Sequence, residues 1–172
     1  TNNDNSRTLV AAALPAQGWL YSKGYAHGVR LRSDATTRDV LALLGYLNSI
    51  PADWWARRFV DRHLGKRIIE GLPLPAWDET DRARVAGLVA GILLSRGVKE
   101  IAGPRPVPAM TEPVARAEAE AEINALALLS LGLGRGEALA MFDDFADSAA
   151  APPSSAREAT LRKVDLIGAH ID

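Results

Sequence analysis

The chain has 172 residues and no cysteine, with 20 Lys plus Arg against 21 Asp plus Glu, a formal net charge of −1. That length suits one ordinary domain burying roughly 70% of its unfolded surface, and the lack of cysteine excludes disulfides, thiol nucleophiles and thiolate metal sites. The near-neutral total hides a split, because residues 1–67 carry ten cations against five acids and residues 68–172 carry ten against sixteen.

Such polarity fits an anionic partner at one end or an attraction between two halves. Thirty residues are alanine, leucine is frequent, and β-branched residues occur singly, so the predicted class is mainly α, a multi-helix bundle with Pro-rich connectors. The polar start, Thr1 to Arg7, shows no signal-peptide pattern. The longest apolar stretch, Val85 to Leu94, has ten residues, short of the roughly 20 that span a bilayer. A cytoplasmic protein with no membrane partner is the expectation.

In chain order, Ser6 to Leu14 reads as a short apolar helix ended by Pro15 and Gly18. Residues 19–32, with Gly24, Gly28 and the pattern Val29, Leu31, read as a short β-hairpin or an irregular loop. Ser33, Asp34, Thr36 and Thr37 offer N-caps, and Val40, Leu41, Leu43, Leu44 and Leu47 predict a helix ending near Asn48. Ser49 and Pro51 open a second helix, with Trp54, Trp55, Phe59, Val60 and Leu64 spaced to bury one side before Gly65 ends it. Residues 66–70 add a turn, and Leu74, Pro75 and Trp77 read as a lid over the core. Asp78 or Thr80 caps a third helix to about Arg96, whose Ala83, Gly87, Ala90, Gly91 and Leu94 form a small-residue side suited to close approach of another helix.

Pro104, Pro106, Pro108 and Pro113 mark a connector. Beyond it Thr111 caps a helix with Ala-Glu alternation from Ala117 to Glu122, where the helix dipole favours acids, followed by the apolar Ile123 to Leu131. Gly132 and Gly134 end it, another helix begins in Glu137 to Asp147, and Pro152 and Pro153 lead to a final helix from about Ala156 to His170. The expected organisation is an N-terminal helical module, 8–102, with a Trp-rich core and basic patch, and an acidic helical segment, 112–172. All four tryptophans and all three tyrosines lie within the first 77 residues. The later helices therefore need docking, onto the first module or onto a partner.

Asn124 to Asp147 reads as helix, Leu-Gly turn and a second helix opening with Glu137 and Ala138. This segment resembles the helix pair of ubiquitin-associated-type domains and of the C-terminal domain of a Holliday-junction protein, which implies a docking module. An ordinary helical hairpin is the other reading. Leu126, Leu129, Leu133, Phe142 and Phe145 are then the candidate protein-binding residues.

The basic segment Trp54 to Arg67 holds Arg57, Arg58, Arg62, Lys66 and Arg67 among aromatics, and on one continuous helix Arg58 and Arg62 would stand a turn apart. That pattern suits phosphates, and with the preceding helix it suggests a helix-turn-helix. A solvated face, or a patch meeting the acidic half, competes with this reading. Asp143, Asp144 and Asp147 resemble the aspartate-rich motif of isoprenoid synthases, which implies a magnesium-diphosphate site, but no second aspartate-rich helix follows. His27, His63 and His170 lack ligand spacing, and no cofactor is expected. The leading expectation is a non-enzymatic adaptor, regulator or assembly subunit acting through a protein partner or self-association. A nucleic-acid-binding regulator comes second and a magnesium-dependent enzyme third.

Overall fold

The computed structural model describes residues 9–12, 31–60, 64–98, 107–145, 148 and 150–170. Among them the chain forms seven helices and no strand, a mainly α fold as predicted. Of the predicted hairpin only Leu31 and Arg32 are described, and neither is in a strand. Leu9 to Ala12, expected within a helix, are non-helical. They are held from the side by other elements.

The helix α1 (Thr37–Leu47) opens with a capping box: Thr36 Oγ1 accepts from Asp39 N at 3.3 Å and the Asp39 carboxylate accepts from Thr36 N at 2.8 Å. Two residues later α2 (Ile50–Phe59) starts with Pro51 in its first turn and Ser49 as N-cap. It ends at Phe59, earlier than predicted, because Val60 is extended at φ −80° and ψ 125°. The chain then brings Leu64, Ile68 and Ile69 back against the main core through the short α3 (Lys66–Glu70).

The helix α4 (Glu79–Ser95), capped by Asp78, packs along α1. The close approach there belongs to α1, since a Cβ on Gly45 would lie 2.8 Å from both Val85 and Val89. The predicted small-residue side of α4 is used differently. Space beside Gly87 is open, and Gly91 is crossed by the connector, whose Met110 N donates to Gly91 O at 3.0 Å.

The central element is α5 (Pro113–Ser130), which touches α1, α2, α4 and α7. Its second half is apolar on every side, and Ile123 to Leu128 are all buried, which is what a helix enclosed by others requires. At its end Gly132 takes φ +73°, and Leu133 N donates to Leu128 O at 3.0 Å, a Schellman turn into α6 (Arg135–Asp143). The last helix, α7 (Ser154–Gly168), lies along α5.

Two apolar clusters fill the interior. Leu41, Tyr46, Val85, Val89, Ile123 and Leu126 belong to the first, and Leu128, Met141, Phe142, Phe145, Leu161 and Val164 to the second. Neighbouring residues of α5 serve both, so the core runs across the boundary between the basic and acidic parts. Trp77 is buried, meets Tyr46 edge-on at 6.2 Å and donates from Nε1 to Leu126 O at 3.0 Å. Of the predicted lid, Leu74 is exposed, Pro75 is half-buried and Trp77 is buried, with Leu72, outside that set, also buried. Burial pushes the Tyr46 hydroxyl up to about 12, and it donates to Pro73 O.

Outside the core, Glu122 of α5 accepts from Arg84 of α4 at 2.6 Å and from Lys163 of α7 at 3.0 Å. Glu118 takes Arg162 at 2.6 Å. The Ala-Glu alternation therefore places carboxylates where cations of the flanking helices reach them. No single helix among the described residues is long and apolar enough to cross a membrane.

Candidate protein-binding groove

The basic set is not one stripe. Arg57 donates from Nε to Asp53 Oδ2 at 2.8 Å, both side chains being buried, and its guanidinium lies 5.7 Å from the Phe145 ring centre. Arg58 pairs with Asp144 and stacks 4.7 Å over Trp54, whose Nε1 donates to the same carboxylate oxygen at 2.8 Å. Lys66 stands 3.4 Å from Glu70 on α3, and Arg67 is exposed on the same helix. Arg62 lies outside the described residues. The end of α2 at Phe59 thus separates Arg57 and Arg58 from Lys66 and Arg67, and three of these four described cations, Arg57, Arg58 and Lys66, are paired with acids of the fold.

The aspartates are likewise drawn to cations. Asp143 accepts from Arg157 of α7 at 2.8 Å, and Asp144 is held by α2. Asp147 lies outside the described residues, among which no group of three or more His, Asp or Glu is placed to hold a metal ion. The candidate docking residues Leu126, Phe142 and Phe145 are buried in this chain's own core. Leu129 and Leu133 are half-buried against the second cluster. The apolar need of the last helices is met largely from within.

Among the described residues a groove of about 910 Å³ lies above α5. Its floor carries Ala117, Ala121 and Asn124, at the i, i+4, i+7 spacing that faces one way on a helix. Alanine is too short to fill the space between α1 and α4 on one side and α7 with the Ala150–Pro153 connector on the other. Apolar walls come from Leu44, Ile92, Leu93 and Ala156, while exposed Arg96 and Glu120, 4.0 Å apart, stand on the rim.

The polar groups here are held in place by the fold. Asn124 is buried and its Oδ1 accepts from Ile50 N at 2.8 Å, fixing the start of α2. Thr160 is the exception, fully buried with no hydrogen-bond partner for its hydroxyl among the described residues. At the inner end, Leu9 N donates to Asp53 Oδ1 at 2.6 Å. Asn48 grips the same segment twice, accepting from Ala11 N at 3.2 Å and donating from Nδ2 to Ala11 O at 3.0 Å. Asn48 and Asp53 are missed by a reading that looks for cation and carboxylate clusters. The available signals are Asn124, a polar residue inside an apolar helical run, and Asp53 at i, i+4 from Arg57.

The depression is thus mostly apolar with a few fixed amide and ion-paired carboxylate groups, the general make-up of a binding site. Comparison with protein-family models, curated proteins and solved structures finds no match for the chain.

Proposed function

We propose that the chain is a non-enzymatic helical adaptor or assembly subunit that works through protein-protein contacts, with the groove above α5 as the contact surface and its own copy as the first partner to test. The observation that carries this reading is that an open apolar groove has, at its inner end, side chains already gripping a length of backbone. A nucleic-acid-binding regulator is the second reading. It is favoured by Lys66 and Arg67, exposed on α3, and by Phe59, exposed at the end of the adjoining α2.

Solution mass separates the two when followed over protein concentration, at two salt concentrations, with and without a DNA duplex. Protein contact predicts association that persists at high salt, survives neutralising Lys66 and Arg67, and weakens at least about tenfold in Ala117→Arg, whose long cation blocks the floor. Nucleic-acid binding predicts a complex that forms only with the duplex and falls steeply with salt. A chain that stays monomeric throughout and gains mass only with DNA at low salt reverses the order of the two readings.

A further inference from the structure

The residues that hold Leu9 to Ala12 are themselves positioned from behind. Asn48 Nδ2 also donates to Leu44 O at 2.9 Å, and Arg57 Nε donates to Asp53 Oδ2 at 2.8 Å. Each therefore meets the backbone of Leu9 or Ala11 in a set orientation. The carboxamide of Asn48 reads both the N–H and the C=O of Ala11, the pattern a neighbouring β-strand would present. Along the arm, Leu9 is buried, Val10 is 70% exposed, Ala11 is half-buried and Ala12 is exposed. That is the two-residue alternation of an extended chain, with one side chain anchored in the core and the backbone carrying the polar contacts.

On the groove reading above, we propose that residues 9–12 are a built-in occupant of a site that reads extended peptide. The external partner is an extended segment with a leucine-sized aliphatic residue followed, two positions later, by any residue except proline. Proline is excluded because the second position must donate its N–H to Asn48. The arm is a poor filler, since Val10, Ala11 and Ala12 line the groove with short side chains and Val10 stays 70% exposed. A segment with larger side chains there fills space the arm leaves. Being part of the same chain, the arm competes as an intramolecular ligand, so it sets a threshold that a partner must exceed.

The test uses a fluorescent synthetic peptide of residues 6–13 as probe, measured by anisotropy against full-length chains. Wild-type protein should bind it weakly, and Leu9→Ser, which removes the arm's own anchor, should bind it about tenfold more tightly or better. Ala11→Pro, which removes one arm amide and leaves the core untouched, should act in the same direction and stands in if Leu9→Ser does not fold. Adding Asn48→Leu to either variant should abolish the gain. Equal affinity for wild type and both arm variants, or no binding to any, overturns the proposal. A dimer that Leu9→Ser dissolves identifies a second copy's arm as the occupant and overturns the assignment within one chain. If Ala117→Arg weakens self-association while the arm variants change nothing, the groove reading stands and the arm reading falls. If none of these changes matters, both fall.

Discussion

Asp53 and Asp144 each meet an arginine of α2, but their surroundings make those pairs unequal. The Asp53–Arg57 side chains are 3% and 9% exposed, whereas those of Asp144 and Arg58 are 45% and 53% exposed. Removing one member of a buried pair leaves a charge in a poor environment, at a cost of about 3 to 5 kcal/mol. An exposed pair contributes roughly 0 to 1 kcal/mol. Urea denaturation should therefore place Asp53→Ala about 3 kcal/mol or more below wild type and Asp144→Ala within about 1 kcal/mol of it, allowing for the lost Trp54 hydrogen bond. Similar losses in the two variants would mean that Asp53 is reached by water. The spacing of Asp53 and Arg57 is visible in the sequence, but their burial is not. It arises because residues 9–12 and Phe145, distant in the chain, close over them.

Among the elements, the boundaries of α1 and α4 are legible, whereas α5 is capped by Glu112 rather than Thr111 and α7 starts at Ser154 rather than near Ala156. Thr36, Ser49 and Asp78 are caps that the sequence displays, and α1, α2 and α4 begin where these residues stand. The end of α2 is hidden because no glycine or proline marks it; the return of Ile68 and Ile69 to the core accompanies it. Gly45 is another case, since only the partner helix explains it. Replacing it with alanine adds helix propensity worth about 1 kcal/mol, but the new methyl would sit 2.8 Å from two valines of α4. Overpacking costs about 1 to 3 kcal/mol, so Gly45→Ala should lower the thermal midpoint, and Gly45→Val more so. A rise in the midpoint for Gly45→Ala would show that α1 and α4 can separate at little cost.

For the whole molecule, part of the charge asymmetry is met within the chain among the described residues. Arg38 pairs with Glu79 and Arg58 with Asp144, each linking the basic part to the acidic part. Glu122 goes further by joining α4, α5 and α7. Burial alone would push its carboxyl up, but the hydrogen bonds and charges of Arg84 and Lys163 outweigh this and hold it below its ordinary value of 4.5. A carboxyl lowered in the folded state stabilises the fold above its unfolded value and loses that contribution as pH falls through the folded one. The stability advantage of wild type over Glu122→Gln should thus be level from neutral pH to about 4.5 and shrink below it, read from urea midpoints across pH. An advantage that persists into strong acid would place the effect in packing instead. The helical class and the acidic face of α5 were legible in its composition, while the groove was not, because it is the space that short alanines leave between helices the sequence does not place. The position of α5 in both clusters also bears on synthesis. At about 5 to 20 residues per second, α1 through α4 are synthesised seconds before residues 123–128, so for that interval the Leu41, Val85 and Val89 cluster lacks the Ile123 and Leu126 that complete it.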